Sequence, residues 1–215
     1  MMIRRFFVVC AIAACLTLAG CSTVSAPAAS STTPAASTTP APTPTTSSRL
    51  IVSVDGVTFT HAGETEAVAF TDTTALLALV TEAVGTSPIV SKVEDLPGYD
   101  FNLTAYDWTG LKVVSDEANA SISATSARVG GVSIETSQGI AVGSSRADLL
   151  ALHPTEIADE NGDGTPDDFG VEPREEAGTT SLSHPDSTGI VFILVLMDGD
   201  SVKQIQSPSN DYSDI

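Results

Sequence analysis

The residues with the most chemistry to offer form one stretch, Asp159-Glu160-Asn161-Gly162-Asp163-Gly164-Thr165-Pro166-Asp167-Asp168. Counted from Asp159, side-chain oxygens stand at positions 1, 3, 5 and 9, on Asp159, Asn161, Asp163 and Asp167. A hard divalent cation such as calcium takes six to eight oxygens, from carboxylates, amides and backbone carbonyls. Gly164 at position 6 permits the tight reversal that wraps such ligands around an ion. Asp168 and Glu172 are the next acidic residues available to complete the shell. Asp, Asn, Gly and Pro are also what turns prefer, so a solvated acidic turn accounts for the same residues without a metal.

The D-x-N-x-D-G spacing resembles the calcium loops of EF-hands, dockerins and thrombospondin type-3 repeats. The resemblance implies Ca2+ held by the side chains of Asp159, Asn161, Asp163 and Asp167 and by the backbone carbonyl of Thr165. The match departs from the EF-hand pattern at position 12, where Gly170 stands in place of a bidentate glutamate, and strong helical flanks are missing. Such a site would brace a long loop, and extracellular calcium would suit it.

A second chemically active group is the thiol of Cys21. Arg4 and Arg5 precede an apolar run from Phe6 to Leu18, and Ala19 and Gly20 lead into the cysteine. The run is too short to span a bilayer, which takes roughly 20 residues, and fits the core of a signal peptide. Leu18-Ala19-Gly20-Cys21 resembles the processing site of bacterial lipoproteins. That resemblance implies a signal peptide over 1–20 and cleavage before Cys21. It also implies a diacylglyceryl anchor, with palmitate-class chains, on the thiol. The mature protein would sit on the cell membrane, lipid-anchored and facing the extracellular side. Each buried methylene contributes about 0.8 kcal/mol, so two chains hold far more firmly than one. Cys10 and Cys15 leave with the signal, and the folded part keeps neither a disulfide nor a free thiol.

Charge narrows the partners. The chain carries 27 acidic and nine basic residues, and two of the basic ones lie in the signal. The resulting negative field repels phosphate backbones, which argues against nucleic acid and for cations, basic partners or simple solubility. His61, His153 and His184 stand apart without metal-ligand spacing. No H-E-x-x-H, G-x-S-x-G, S-x-x-K, P-loop or dinucleotide fingerprint occurs, so the expectation is a protein that is not an enzyme.

Residues 22–48 contain only Ser, Thr, Pro and Ala besides Val24, with no charge. Such a segment cannot offset its ordering entropy and is expected to be a disordered tether over 21–48, reaching on the order of 80 Å. Alternation around Asp55-Gly56 predicts a hairpin. Leu76, Leu79, Val80 and Ala83 predict a helix over 73–84, capped by Thr71 or Asp72 and stopped by Gly85. Strands are expected at 103–108, 111–115, 120–129 and 132–135, with Trp108, the single tryptophan, as core or ligand platform. Ser145 and Asp148 have capping-box spacing before a short helix that Pro154 stops. Ile190 to Leu196 reads as a central strand buried on both faces, and Asp198-Gly199-Asp200 as the turn into a last strand ending at Ser207.

The expected class is α+β, with two helix-plus-antiparallel-sheet (β-meander) modules, 49–135 and 136–215, after the disordered linker. Gly-Ile-x-Val-Gly-x-Ser-x-x-Asp-Leu at 139–149, with the short helix and terminal hairpin, resembles the small modules of the outer-membrane assembly lipoprotein BamE and the β-lactamase-inhibitor protein. That resemblance implies protein–protein contact across an exposed sheet. The expected role is a membrane-anchored surface lipoprotein of the Gram-positive type that binds an envelope protein partner or serves structurally. The alternative is a calcium- or solute-binding lipoprotein that uses loop 159–168.

Overall fold

A computed structural model of the chain describes residues 47–94, 102–116 and 118–213. Cys21, the signal segment and nearly all of the expected tether lie outside the described residues.

The chain enters through β1 (Arg49–Val52), turns at Asp55 into β2 (Gly56–His61), and returns as β3 (Glu64–Ala69). α1 (Thr73–Val84) follows with the bounds that its apolar spacing predicts. The Asp72 carboxylate accepts from the Ala75 N–H at 3.0 Å, closing the first turn. Gly85 ends the helix at φ 78°, a left-handed position that costs a glycine little. Leu76, Leu79, Val80, Ala83 and Val84 form its buried stripe.

Next come β4 (Ile89–Lys92), β5 (Thr104–Asp107), β6 (Leu111–Ser115), β7 (Ala120–Ala124), β8 (Arg128–Val129) and β9 (Val132–Thr136). α2 (Arg146–Leu150) has its capping box, with the Asp148 N–H donating to Ser145 Oγ at 3.1 Å. It buries only Leu149 and ends within five residues. β10 (Thr155–Ala158), β11 (Asp168–Glu175), β12 (Ile190–Asp198) and β13 (Ser201–Asn210) complete the chain.

The strands build two sheets. One runs β3-β2-β1-β9-β8, with β1 and β9 parallel, and the other is an antiparallel array β10-β11-β12-β13-β7-β6-β5-β4. This overturns the α+β class with two helix-plus-meander modules. The described residues are 46% strand and 11% helix, a mostly β arrangement in which α2 is too short to cover a sheet. The capping box was legible, but one buried leucine cannot hold a longer helix against the sheet.

Two clusters make the core. The first joins Leu50, Val52, Val57 and Phe59 to the α1 stripe and to Leu111, Val113 and Ile122. The second joins Leu149 and Ile140 to Phe169, Val171, Ile193, Val195 and Ile205. Ile205 of the second stands directly opposite Ala124 of the first. Directly paired residues point to one side of a sheet, so both clusters lie on the same face of the eight-stranded array. Trp108 belongs to the first cluster at 6% exposure, and its Nε1 donates to the Thr86 carbonyl at 2.9 Å just past α1. It is a core residue.

Gly130 shows how tightly α1 seats. Its φ is +58°, and a methyl there would overlap the Val84 carbonyl oxygen at the end of α1. Gly131, at φ +88°, faces open space. Gly130→Ala is expected to cost about 3 kcal/mol or more, from left-handed strain plus overpacking. Gly131→Ala should cost about 1 kcal/mol. Urea unfolding of both variants checks the difference, and equal losses would contradict the seating described.

Candidate functional site

The acidic loop connects β10 to β11 and is closed by its own side chains. Asp159 Oδ1 accepts from the Gly162 N–H and Oδ2 from the Gly164 N–H, both at 2.8 Å. Asn161 Oδ1 accepts from the Asp163 N–H, and Asp163 Oδ1 from the Thr165 N–H, each at 2.8 Å. Asn161 Nδ2 donates to Asp167 Oδ2 at 2.8 Å, which draws positions 3 and 9 together. All five expected ligand residues therefore lie in one curl, with Thr165 engaged through its N–H. Among the described residues no three carboxylate, imidazole or thiol groups converge tightly enough to hold a metal ion.

The residue that organises this region is Arg146, the first of α2. Its Nη1 donates to the Pro166 carbonyl at 2.6 Å, while Nη2 and Nε donate to the Gly199 carbonyl at 2.8 and 3.2 Å. Asp167 and Asp200 lie within 3.8 and 3.7 Å of the guanidinium, which also stands 5.7 Å above the Phe169 ring. One cation thus clamps the acidic loop, the β12–β13 turn and the start of α2. Spacing alone could not reveal it, because two of its partners are backbone carbonyls that only the fold brings near.

Asp168 begins β11 with 7% exposure, and its Oδ1 meets no donor. Burial first, and then the charge of Glu160, push its carboxyl above the usual carboxylate range, against the pull of Lys203. Glu172 shifts upward as well, mainly by burial, with the Val54 N–H opposing. It sits at φ 54°, where the pairing of β11 with β12 slips.

Two histidines touch a hydroxyl. His61 Nδ1 lies 2.6 Å from Ser48 Oγ, and its ring stacks on Phe59 with centroids 6.0 Å apart. Beside them a recess of about 340 Å³ is lined by Glu64, Thr65, Glu66 and Glu82. Among the described residues no third group bonds the other ring nitrogen, so the nucleophile, base and orienting group of a catalytic triad are not assembled. His184 Nδ1 pairs with the adjacent Ser183 at 3.0 Å.

The side of the eight-stranded sheet away from both cores is partly open. Direct pairing runs through Thr155, Gly170, Leu194, Gln206, Ser123, Lys112, Asp107 and Ile89, one residue from each strand. That single row crosses the whole sheet on the side away from both cores. Leu196, Gln204, Ser121 and Val114 flank it on the same side. Leu194, Leu196, Gln204, Gln206, Ser121 and Ser123 are half-buried, whereas Asp168, Gly170, Phe192 and Ala105 on the same side are buried, with the Phe192 ring against Gly170. A shallow depression of about 180 Å³ opens among Asp107, Lys112, Ser123, Thr125 and Gln204. Asp107, Lys112, Asp168, Glu175 and Asp198 all lie on this side, so acidic groups outnumber basic ones towards the β11–β12 end. Lys112 pairs with Asp107 at 3.9 Å, and Lys203 acts on Asp168.

Arg146→Ala is expected to lower stability by about 2–4 kcal/mol, since bonds to an ionised donor contribute about 1.5–3 kcal/mol each. Arg146→Lys should recover less than half, because an ammonium cannot fork between two carbonyls. Urea denaturation of the two variants measures this, and full recovery by lysine would count against the clamp. Compared with known proteins, the chain matches no family model, no curated protein and no solved structure.

Proposed function

We propose that the chain is a membrane-anchored surface lipoprotein that works by protein contact, as a binding or structural component of the envelope. The observation that carries the reading is the uncharged, half-exposed middle of the outer face of the eight-stranded sheet. The whole chain has a formal charge of −18, yet the middle of this face, made by Leu194, Leu196, Gln204, Gln206, Ser121 and Ser123, carries no charged side chain. Depletion of charge at the centre of a patch is what distinguishes protein interfaces from the rest of a surface. The strong negative field elsewhere disfavours nucleic acid. The Leu18-Ala19-Gly20-Cys21 motif supports the anchor, and the charge-free 21–48 segment supports a tether that lifts the domain off the bilayer.

A photo-reactive residue at Ser123 should cross-link an envelope protein in living cells, while one at the exposed Glu82 of α1 should not. Cys21→Ser should abolish incorporation of labelled palmitate and release the protein from the membrane. Absence of any Ser123 adduct would defeat the contact reading, and retained membrane attachment in Cys21→Ser would defeat the anchor.

A second reading, a calcium brace at loop 159–168, is favoured by the way Asp159, Asn161, Asp163 and Asp167 are already drawn into one curl. Each ionised carboxylate has about four acceptor positions, so the backbone bonds leave capacity for an ion. Calcium titration of the Pro44–Ile215 unit should then raise its melting temperature saturably, and Asp163→Ala should remove the effect. No shift in the parent protein would leave the loop as an acidic turn closed by Arg146.

A further inference from the structure

We propose that Glu172 and the β1–β2 turn form an acid-set latch between the two sheets. The latch is closed when the Glu172 carboxyl carries a proton and loosened when it is ionised, and it stands apart from the contact reading above.

The turn is where the five-stranded sheet reaches the second core. Residues 53–56 are pinched by the Ser53 N–H and hydroxyl, both donating to the Gly56 carbonyl at 3.0 Å. Three consecutive residues then engage the eight-stranded sheet. The Ser53 carbonyl accepts from Ser207 Oγ at 2.7 Å, Val54 is buried in the second core, and Asp55 Oδ1 accepts from Arg174 Nη1 at 2.7 Å. Among the described residues, Val54 is the one buried member of that core that lies before Ile140. Whatever displaces the turn therefore withdraws an apolar plug from a core built by the other end of the chain.

β11 aims a carboxyl at this turn. Its pairing with β12 passes from Val171 opposite Ile193 to Arg174 opposite Val191, so β11 carries one extra residue there. A bulge of this kind bends the strand and re-aims a side chain. Glu172 sits in it at φ 54°, a backbone position that favours glycine and that a glutamate occupies only where its surroundings hold it. Its Oε1 is buried and meets no donor. An ionised carboxylate needs donors for both oxygens, whereas the neutral acid buries at lower cost and carries a donor of its own.

The groups around it favour the neutral form. Burial raises the Glu172 carboxyl above its usual range, the Val54 N–H pulls it back, and the Asp55 carboxylate raises it further. The Arg174 guanidinium is committed to Asp55, with Glu176 and Tyr212 bearing on it. β12 faces the bulge with Val191, Phe192 and Ile193, none of which ionises. The folded protein thus holds this proton more tightly than the unfolded chain does. The stability it contributes is fully present below the ordinary carboxylate range and is lost as pH rises through the higher folded value. Acid tightens the latch. The ion-paired carboxylates behind ordinary acid denaturation work in the opposite direction.

The test is urea unfolding of the Pro44–Ile215 unit from about pH 4 to about pH 7, with the parent beside Glu172→Gln and Glu175→Gln. Glutamine keeps the shape and cannot ionise, so Glu172→Gln should lower the unfolding constant several-fold near neutrality and leave it unchanged in acid. Glu175→Gln removes a charge from the exposed part of the same strand and should keep the slope of the parent's profile. At neutral pH, amide exchange at Val54 should be slower in Glu172→Gln than in the parent. In the unaltered protein, the Glu172 carboxyl followed by NMR should titrate above the usual glutamate value. Titration at the usual value overturns the inference, even where the variant fails to fold. So does a Glu172→Gln profile that parallels the parent, or a Glu175→Gln profile that loses the slope just as fully.

Discussion

Most of this architecture depends on one junction, the pairing of β13 with β7. Only three residue pairs make it, Ile205 with Ala124, Gln206 with Ser123 and Ser207 with Ile122. Without it the chain would have two separate four-stranded meanders, each with two edges to protect. With it, two hydrophobic clusters come to lie side by side on one face, and the opposite face becomes continuous. Ser207 reinforces the junction from the covered side, donating its hydroxyl to the Ser53 carbonyl at 2.7 Å and so reaching the five-stranded sheet. In a folded region with no cysteine, these few contacts and the apolar burial beside them do what disulfides do in many small secreted domains.

Local order was legible where local physics decides it. The bounds of α1 follow from its stripe, its Asp72 cap and Gly85, and β6 follows from plain alternation. β10 and β11 escaped because Asp168, Gly170 and Pro173 are poor strand formers and the acidic loop beside them reads as coil. β11 is a strand because Phe169 and Val171 enter the second core, a tertiary reason with no local trace. β4 was hidden by its brevity and full exposure. The parallel pairing of β1 with β9 joins residues more than 80 positions apart, and no periodicity encodes that.

The same division runs through the candidate sites. The acidic loop could be picked out as a string of oxygens, and its curl follows from the habit of Asp and Asn of bonding backbone N–H groups a few residues on. Arg146 was invisible as a clamp because Pro166 and Gly199 are distant in sequence. The open face was half visible. Strands such as β6, β7 and β9 announce an inward and an outward side by alternation, but which outward residues form one row is set by register, and register is a property of pairs of strands.

The entry strand has a mechanical consequence. β1 is the first strand of the described chain, and it lies in the interior of its sheet, antiparallel to β2 on one side and parallel to β9 on the other. Tension arriving through the residues before Ser48 acts along the length of β1. It loads the hydrogen bonds to both neighbours in shear, all at once, where an edge strand would peel away one bond at a time. A domain held at its far face and pulled from its N-terminal side would therefore yield late and abruptly.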